Sequence, residues 1–583
     1  MGEFPKKKQR FMMGNEALAE GAYEGGVAVG AGYPGTPSSE ILEFLNCYSG
    51  VDVRWCPNEK VALEVAAGAA IGGKRALVTM KHVGLNVAAD PLMTVAYTGV
   101  RAGLVIIVAD DPGMYSSQNE QDSRNYAVFA KIPCLEPANS EEARLFLRTA
   151  FELSETFDTP LLIRSTTHVS HSKGLVNLEE RKSFPGFDYA RDANKYVMIP
   201  VFARIRRHIL EERMDRIKKW VETTPLNRVE MRDQSLGIIT GGVLYEYIRE
   251  VLPDASVLKL GVSFPLPLQK IKTFTQAVER VVVVEELDPI WEREMRAAGI
   301  SVVGKEIIPV EGEITPDVLQ TVFGVRGNGS ETVNFSRLVP NRPPVMCAGC
   351  PHRGVLRVLA DLKAVVAGDI GCSTLGVMPP LSAIDSCICM GASISMAEGF
   401  KLAHPDLPVA AVIGDSTFIH GGIPPLIDAV YNQTNIVVVI LDNRITAMTG
   451  GQQNPGTGVT LSGKKGHALD FGDLCRSIGV PRVEKLSSYD LKTLRPLLQQ
   501  AFRESGPTVL IVSEPCQLIR KEREPVRYRI TPEKCRQCQR CLKLGCPAIS
   551  QNGEVIQILS ETCRACGVCQ SQCAFEAIEE VTD

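Results

Sequence analysis

The sequence predicts an α/β protein of several domains, each a parallel sheet flanked by helices, followed by a small α+β domain at the C-terminus. Three observations predict it. Short β-branched runs alternate with small-residue helical stretches through most of the chain, which is the pattern of strand–helix–strand units. A length of 583 residues leaves room for about three or four domains of ordinary size. The last fifty residues then carry eight cysteines, which marks a region organised by ligands instead of by a large apolar core.

The elements follow in order. Runs at 27–29, 76–79, 104–109 and 161–163 supply the strands of a first domain, assigned to 1–190. A charged, helix-favouring stretch, with Arg204-Ile205-Arg206-Arg207 and Glu211-Glu212-Arg213, makes a helical connector at 191–235 with a solvated face. A smaller α/β unit occupies 236–330. Its Thr240-Gly241-Gly242 turn has the form of an anion site at a helix start, but a lone glycine pair is better read as a plain turn. Gly, Asn, Ser and Pro make a linker of 327–344, a third α/β domain spans 345–520, and a basic stretch leads to the last domain, 528–583.

Composition excludes several classes. A formal charge of -4 offers no basic excess to hold a phosphate backbone, so no nucleic-acid partner is expected, and Lys6-Lys7-Lys8 is read as a solvated tail. The apolar stretches at 95–109 and 436–441 are broken by Gly, Thr, Arg or Asp before they reach bilayer length, and no secretory pattern opens the chain. No membrane association is expected. Eighteen cysteines without an export signal point to reduced thiols that serve metal, and to the cytoplasm.

The eight C-terminal cysteines form two runs, Cys535-x2-Cys538-x2-Cys541-x4-Cys546-Pro547 and Cys563-x2-Cys566-x2-Cys569-x3-Cys573. In a two-cluster ferredoxin domain three closely spaced thiolates grip one 4Fe-4S cube and the fourth cysteine of each run crosses to the other. The expected sets are Cys535, Cys538, Cys541 with Cys573, and Cys563, Cys566, Cys569 with Cys546. Structural zinc also uses CxxC pairs, but wants four ligands per site without the third cysteine at the next x2 step or the crossing fourth. One extra residue before Cys546 and the absence of a proline after Cys573 depart from the usual spacing while leaving the ligand count intact.

In the third domain the strand at 409–413 ends in Gly414-Asp415-Ser416 and the strand at 436–441 ends in Asp442-Asn443. A right-handed crossover brings both ends to the carboxyl edge of one sheet, where open α/β folds bind ligands. Asp415 and Asn443 are hard oxygen ligands suited to Mg2+, which keeps phosphate oxygens in its remaining positions, and Gly414 lets the backbone approach a diphosphate. Ser416 and Gly391 join the expected cofactor-binding set. This is the thiamine-diphosphate signature, although Gly-Asp-Ser alone would be a common turn. Thiamine chemistry also needs a carboxylate against the aminopyrimidine. Glu59 and Glu64, five apart on a small-residue helix, cannot share a face, and from the residues alone a helix-start Glu59 also fits a solvated position at the dipole's positive end.

Further motifs carry a resemblance: Tyr33-Pro34-Gly35-Thr36-Pro37, Met80-Lys81-His82-Val83-Gly84-Leu85-Asn86, Asp110-Asp111-Pro112-Gly113, Cys347-Ala348-Gly349-Cys350-Pro351-His352-Arg353-Gly354 and Asp442-Asn443-Arg444-Ile445-Thr446-Ala447-Met448-Thr449-Gly450. Together with the cysteine runs they resemble the alpha (large) subunits of indolepyruvate:ferredoxin oxidoreductases, over essentially the whole chain. The resemblance implies thiamine-diphosphate-binding folds and oxidative decarboxylation of aryl pyruvates to aryl-acetyl-CoA with reduction of ferredoxin. It selects Glu59 as the catalytic carboxylate, places Thr36 by the reacting centre, and adds the Ile445 carbonyl to the metal ligands. It also implies a smaller beta subunit, in an α2β2 assembly, to supply the CoA-handling domain for which no stretch is left over. Cys347, Cys350, Cys372 and Cys516 fall where pyruvate-type relatives place a third, proximal cluster. Those relatives carry an arginine for the substrate carboxylate where this chain has Asp110-Asp111, so His82, Lys81 and Arg124 stand as candidates for that role. His168-x2-His171 is read as a surface polar pair.

Two rival readings remain at this level. An electron-transfer or scaffold subunit would keep the folds without binding thiamine diphosphate. A non-oxidative decarboxylase would have no use for eight cluster cysteines.

Overall fold

The structure is a computed structural model that describes residues 9–325, 344–520 and 526–582. The Lys6 to Lys8 tail, and the expected linker but for Pro344, lie outside the described residues. The chain divides into two compact units, Met1–Val333 and Asn334–Asp583.

The first unit opens with eight strands, β1 (Gln9–Met13), β2 (Val29–Gly32), β3 (Asp52–Trp55), β4 (Ala76–Lys81), β5 (Leu104–Asp110), β6 (Cys134–Leu135), β7 (Leu161–Thr166) and β8 (Lys173–Asn177). Five more follow, β9 (Arg228–Glu230), β10 (Asp233–Gly241), β11 (Ala255–Leu260), β12 (Val262–Phe264) and β13 (Arg280–Val284). The main sheet has the order β12-β6-β7-β5-β4-β2-β3, with every pairing parallel except β12 against β6. Strands β4, β5 and β7 are buried from end to end, as befits a parallel sheet covered on both faces. A smaller sheet, β13-β10-β11-β9, follows, and β1 pairs with β8 alone.

Three details differ from the sequence expectation. The first strand of the main sheet begins at Val29, not at residue 27, because the preceding helix closes on Val27, whose N–H donates to Ala22 O at 3.1 Å. Strand β12 leaves the smaller sheet's stretch of chain to become the antiparallel edge of the main one. The charged connector is also more than a solvated strut. Its helix Pro200–Thr223 buries Leu210, Met214, Ile217 and Val221 together with two arginines, Arg206 and Arg213. These donate to the last carbonyls of the helix Ala89–Thr98 (Arg206 to Tyr97 O at 2.9 Å, Arg213 to Ala96 O at 2.6 Å), which have no partner within that helix. The Thr240-Gly241-Gly242 segment is a strand end and turn, with Gly242 at φ 54.

The second unit holds one five-stranded sheet, β14 (Val365–Gly368), β15 (Val409–Gly414), β16 (Val437–Asp442), β17 (Arg482–Ser487) and β18 (Thr508–Ser513), in the order β14-β15-β16-β18-β17 and parallel throughout. Alternate residues of its central strands feed opposite cores. Ala410, Val412, Val437, Val439 and Leu441 face one, while Val409, Ala411, Ile413, Val438 and Ile440 face the other. The cysteine-rich end contributes only two antiparallel pairs, β19 (Val526–Ile530) with β22 (Ile578–Thr582) and β20 (Ile549–Asn552) with β21 (Val555–Ile558). Its core is correspondingly small and includes Cys563, Cys541, Cys546, Cys569 and Cys573. Arg353 joins it to the helix Pro351–Asp361, donating to Leu544 O at 2.8 Å and Gly545 O at 2.6 Å.

No helix among the described residues is long and apolar enough to cross a membrane.

Candidate functional site

In each unit the candidate residues fall at the carboxyl edge of the sheet. In the first, Thr36 follows β2, Glu59 follows β3, Lys81 ends β4 with His82 opening the next helix, and Asp110 ends β5 with Asp111 just beyond it. Glu59 is the first residue of the helix Glu59–Ile71, whose N-cap Asn58 accepts the Val61 N–H at 2.9 Å. Its side chain is 5% exposed, whereas Glu64 is exposed and paired with Lys60. The Glu59 carboxylate packs directly on Gly84: an added Cβ there would lie 2.5 Å from Glu59 Oε1. Lys81 donates to Ser116 O and Oγ, both at 2.9 Å, and burial lowers its pKa to about 8. Asp111 organises the loop beyond β5. Burial alone would raise its pKa, but bonds from Ser117, the Ser116 N–H and Thr167 outweigh it and hold the carboxyl low.

In the second unit Gly414 pairs with Leu441, so Asp415 and Asn443 emerge side by side from adjacent strands. Both are buried, as is Ile445, whose N–H donates to Asn443 Oδ1 at 3.3 Å. Arg444 between them is left-handed at φ 59. Burial, with the Asp442 charge next to it, pushes Asp415 up to about 7. It accepts the Ser416 N–H at 2.7 Å and Asn454 Nδ2 at 3.4 Å, the Arg444 backbone N–H also favours its ionised form, and no Lys or Arg side chain forms an ion pair with it among the described residues. A buried carboxylate without a basic partner, beside an amide oxygen, is a fitting donor set for a hard divalent cation. Gly391, at φ 90, starts the helix Ala392–Ala403 and presses on Gly421, where an added Cβ would lie 2.6 Å from the backbone. That contact falls on a π-turn, 418–422, continuing from Asp415.

The thiols continue from this edge. The Cys516 N–H donates to Asn443 O at 3.0 Å. Burial raises the Cys516 thiol, and the charges of Cys347 and Asp415 raise it further. Cys372 in turn feels Cys516 and Cys347, and Cys350 feels Cys372 and Cys347; burial first, then these neighbours, push Cys372 up to about 11 and Cys350 up to about 12. Cys350 also lines a cavity of about 30 Å³ together with Cys546, Cys563, Cys566 and Cys569. Those four belong to one expected cluster set, crossing cysteine included. Cys541, raised first by burial, feels Cys535 and Cys538 of the other set. Among the described residues no three His, Cys, Asp or Glu side chains are closed on one point as a formed metal centre. The fit therefore rests on thiol chemistry, spacing and neighbourhood.

Residues 20–209 match the family described as pyruvate flavodoxin/ferredoxin oxidoreductase, thiamine diP-binding, and residues 369–512 match the thiamine pyrophosphate enzyme C-terminal TPP binding domain. The chain is 41% identical over 607 residues to the indolepyruvate oxidoreductase subunit IorA of Archaeoglobus fulgidus, covering 98% of this chain and 97% of the other. This chain belongs to the IorA family. The IorA subunit of Methanothermobacter marburgensis is 42% identical over 600 residues, again with 98% and 97% coverage. A solved 2-oxoglutarate:ferredoxin oxidoreductase from Magnetococcus marinus aligns at a TM-score of 0.45 and 16% identity, over 55% of this chain and 65% of that one. The expected thiamine-diphosphate-binding folds are thus present at both ends of this IorA-family chain.

The structure corrects one candidate and adds others. Arg124 is unsuited to a substrate carboxylate: it is buried, bonded to Asp122 at 2.6 Å and Glu285 at 2.9 Å, and lies 4.8 Å over the Trp291 ring. His82 meets Asn119 O at 3.2 Å. His168 and His171 face single carboxylates, Glu313 and Glu40. Asp369, just beyond β14, is a buried carboxylate that sequence reasoning passed over. It accepts the N–H groups of Gly391 at 2.8 Å and Ser393 at 3.0 Å, and so places the helix against the π-turn. Its signal was a third strand-end acid on the same sheet. Thr446, which donates to Ser416 Oγ at 2.9 Å, and Asn454 were also missed, because nothing in their spacing links them to Asp415.

Proposed function

We propose that this chain is the large subunit of an enzyme that oxidatively decarboxylates aryl pyruvates (indolepyruvate, phenylpyruvate or 4-hydroxyphenylpyruvate) to aryl-acetyl-CoA and passes the electrons to ferredoxin, together with a smaller subunit in an α2β2 assembly. One observation carries the reading. Within one compact unit the Cys516 N–H donates to Asn443 O at 3.0 Å on the candidate cofactor edge, and Cys350, whose N–H donates to Cys347 O at 3.2 Å, lines the cavity shared by Cys546, Cys563, Cys566 and Cys569. This neighbourhood of thiols supports an electron route from the cofactor edge towards the cysteine-rich C-terminal region.

Thiamine diphosphate, when bound, supplies the electron sink that lets a 2-oxo acid lose carbon dioxide. Asp415, Asn443 and the Ile445 carbonyl hold its Mg2+, and Gly414, Ser416 and Gly391 border its diphosphate. Glu59 would serve as the carboxylate that gives and takes a proton at its aminopyrimidine, and its burial would strengthen that hydrogen bond. Thr36 borders the reacting centre. The two C-terminal sets hold 4Fe-4S clusters and the four cysteines around Cys516 hold a third.

The close packing of Gly84 on Glu59 provides a sensitive check. Gly84→Ala places a methyl 2.5 Å from Glu59 Oε1 and 2.6 Å from its Cγ, so the buried Glu59 side chain must shift and its carboxylate moves. Turnover will fall by about 100-fold while the thermal midpoint stays within about 3 °C of the parent; anaerobic assay and a melting curve measure both.

The reading itself is tested by anaerobic assay of the chain with and without its smaller subunit, using a panel of 2-oxo acids. Ferredoxin reduction that requires an aryl pyruvate, CoA and both subunits is the expected result. Carbon dioxide release without acceptor reduction would mean a non-oxidative decarboxylase, and failure to bind thiamine diphosphate would mean a scaffold.

A further inference from the structure

Beside the first C-terminal cysteine run lies a pocket of about 580 Å³ lined by Arg357, Lys492, Arg495, Arg540 and Lys543, with Asp361 as its one carboxylate. Asp361 is already bridged twice, by Arg357 Nε at 2.9 Å and by Arg495 at 2.6 Å. Lys492, Arg540 and Lys543 are exposed and make no ion pair among the described residues. The pocket is therefore strongly positive on a chain whose formal charge is -4. Such a concentration of like charge is unfavourable by itself and focuses a field that attracts and orients an anionic partner.

Its place in the chain says which partner. Arg540 stands between Cys538 and Cys541, Lys543 is two residues past Cys541, and Ser571 and Gln572, which also line the pocket, immediately precede Cys573. Three cysteines of one expected cluster set, Cys538, Cys541 and Cys573, thus lie within two residues of the pocket lining, against Cys569 alone of the other set, and Cys538 is exposed. The other set turns inward, to the cavity it shares with Cys350. The inner set thus shares a cavity with Cys350, and the outer set includes the exposed Cys538 two residues before the pocket's Arg540.

We propose that this pocket is the docking surface for the acidic face of a protein electron carrier, and that electrons leave the chain through the Cys535, Cys538, Cys541 and Cys573 set. The proposal rests on the reading that the chain reduces ferredoxin and deepens it by naming the surface. Charge complementarity supplies encounter rate and orientation here, so the interaction is salt-dependent.

The test is direct binding of an acidic ferredoxin to the complete two-subunit enzyme at low and high salt, comparing the parent with Lys492→Glu/Lys543→Glu. Neither lysine is a ligand or touches the cofactor edge. The double variant is expected to weaken binding about tenfold or more at low salt and to lose most of the salt dependence, while iron content and methyl viologen reduction stay at parent values. A control reversing Lys218 and Lys272, exposed lysines of the other unit, is expected to bind as the parent does. Unchanged binding in Lys492→Glu/Lys543→Glu overturns the proposal. A raised KM for CoA in the viologen assay also overturns it, since the pocket would then hold a small polyanion. Absence of viologen reduction by the parent with every 2-oxo acid would instead sink the functional reading, and the binding result would still decide the surface.

Discussion

Glu59→Gln is expected to lower the turnover number by about 10²–10⁴-fold, the usual worth of a positioned acid–base group, with the cluster absorbance and the fold unchanged. The amide keeps the size and one acceptor of the carboxyl but cannot take up and return a proton. Burial sharpens the effect, because at 5% exposure water has little access to act in its place. Glu64→Gln is the matched control. That side chain is solvent-exposed and loses only a surface pair with Lys60, worth about 0–1 kcal/mol, so activity should remain within about twofold of the parent. Anaerobic steady-state assays of the two variants, with thiamine diphosphate binding measured in parallel, separate chemistry from assembly. A crippled Glu64→Gln beside an active Glu59→Gln would show that the wrong carboxylate has been assigned to the aminopyrimidine.

Cys372→Ala is expected to reduce the iron content of anaerobically purified protein from about twelve to about eight atoms per chain, at four per cube, and to slow ferredoxin reduction severely. Cys372 interacts electrostatically with Cys516 and Cys347, and Cys350 with Cys372 and Cys347. On the proposed reading its loss removes one ligand of the third cluster, while the C-terminal runs are untouched. Carbon dioxide release from the 2-oxo acid should survive better than acceptor reduction, because the lesion lies after decarboxylation. A parent iron content near eight, unaltered by the substitution, would mean that these four cysteines only pack the domain.

Part of the site was legible because its chemistry is local. Three thiols of each expected cluster set lie within a few residues of one another, so the two C-terminal runs suggest their sets by spacing, while the crossing fourth cysteine comes only from the ferredoxin pattern. A strand-end acid and amide about a helix apart must meet on a parallel sheet, so Asp415 and Asn443 were readable together, and their neighbouring strands do pair at Gly414 and Leu441. Arg124 was misjudged for a different reason: its close pair with the neighbouring Asp122 is reinforced by Glu285, 161 residues away, and only the fold buries all three together.

By itself the sequence determined the class of fold, the family, the two thiamine-diphosphate-binding stretches and the residue types available for metal, since strand periodicity and ligand spacing are properties of short segments. Only the tertiary structure decided which groups are neighbours. It buried Glu59 against Gly84, made Asp369 the anchor of the helix beginning at Gly391, and brought Cys350 to the cavity of the C-terminal thiols. It also gathered Arg357, Lys492 and Lys543 from three distant segments into one pocket. These are contacts between residues far apart in the chain, and their existence depends on how sheets and helices pack, which periodicity within a segment does not encode.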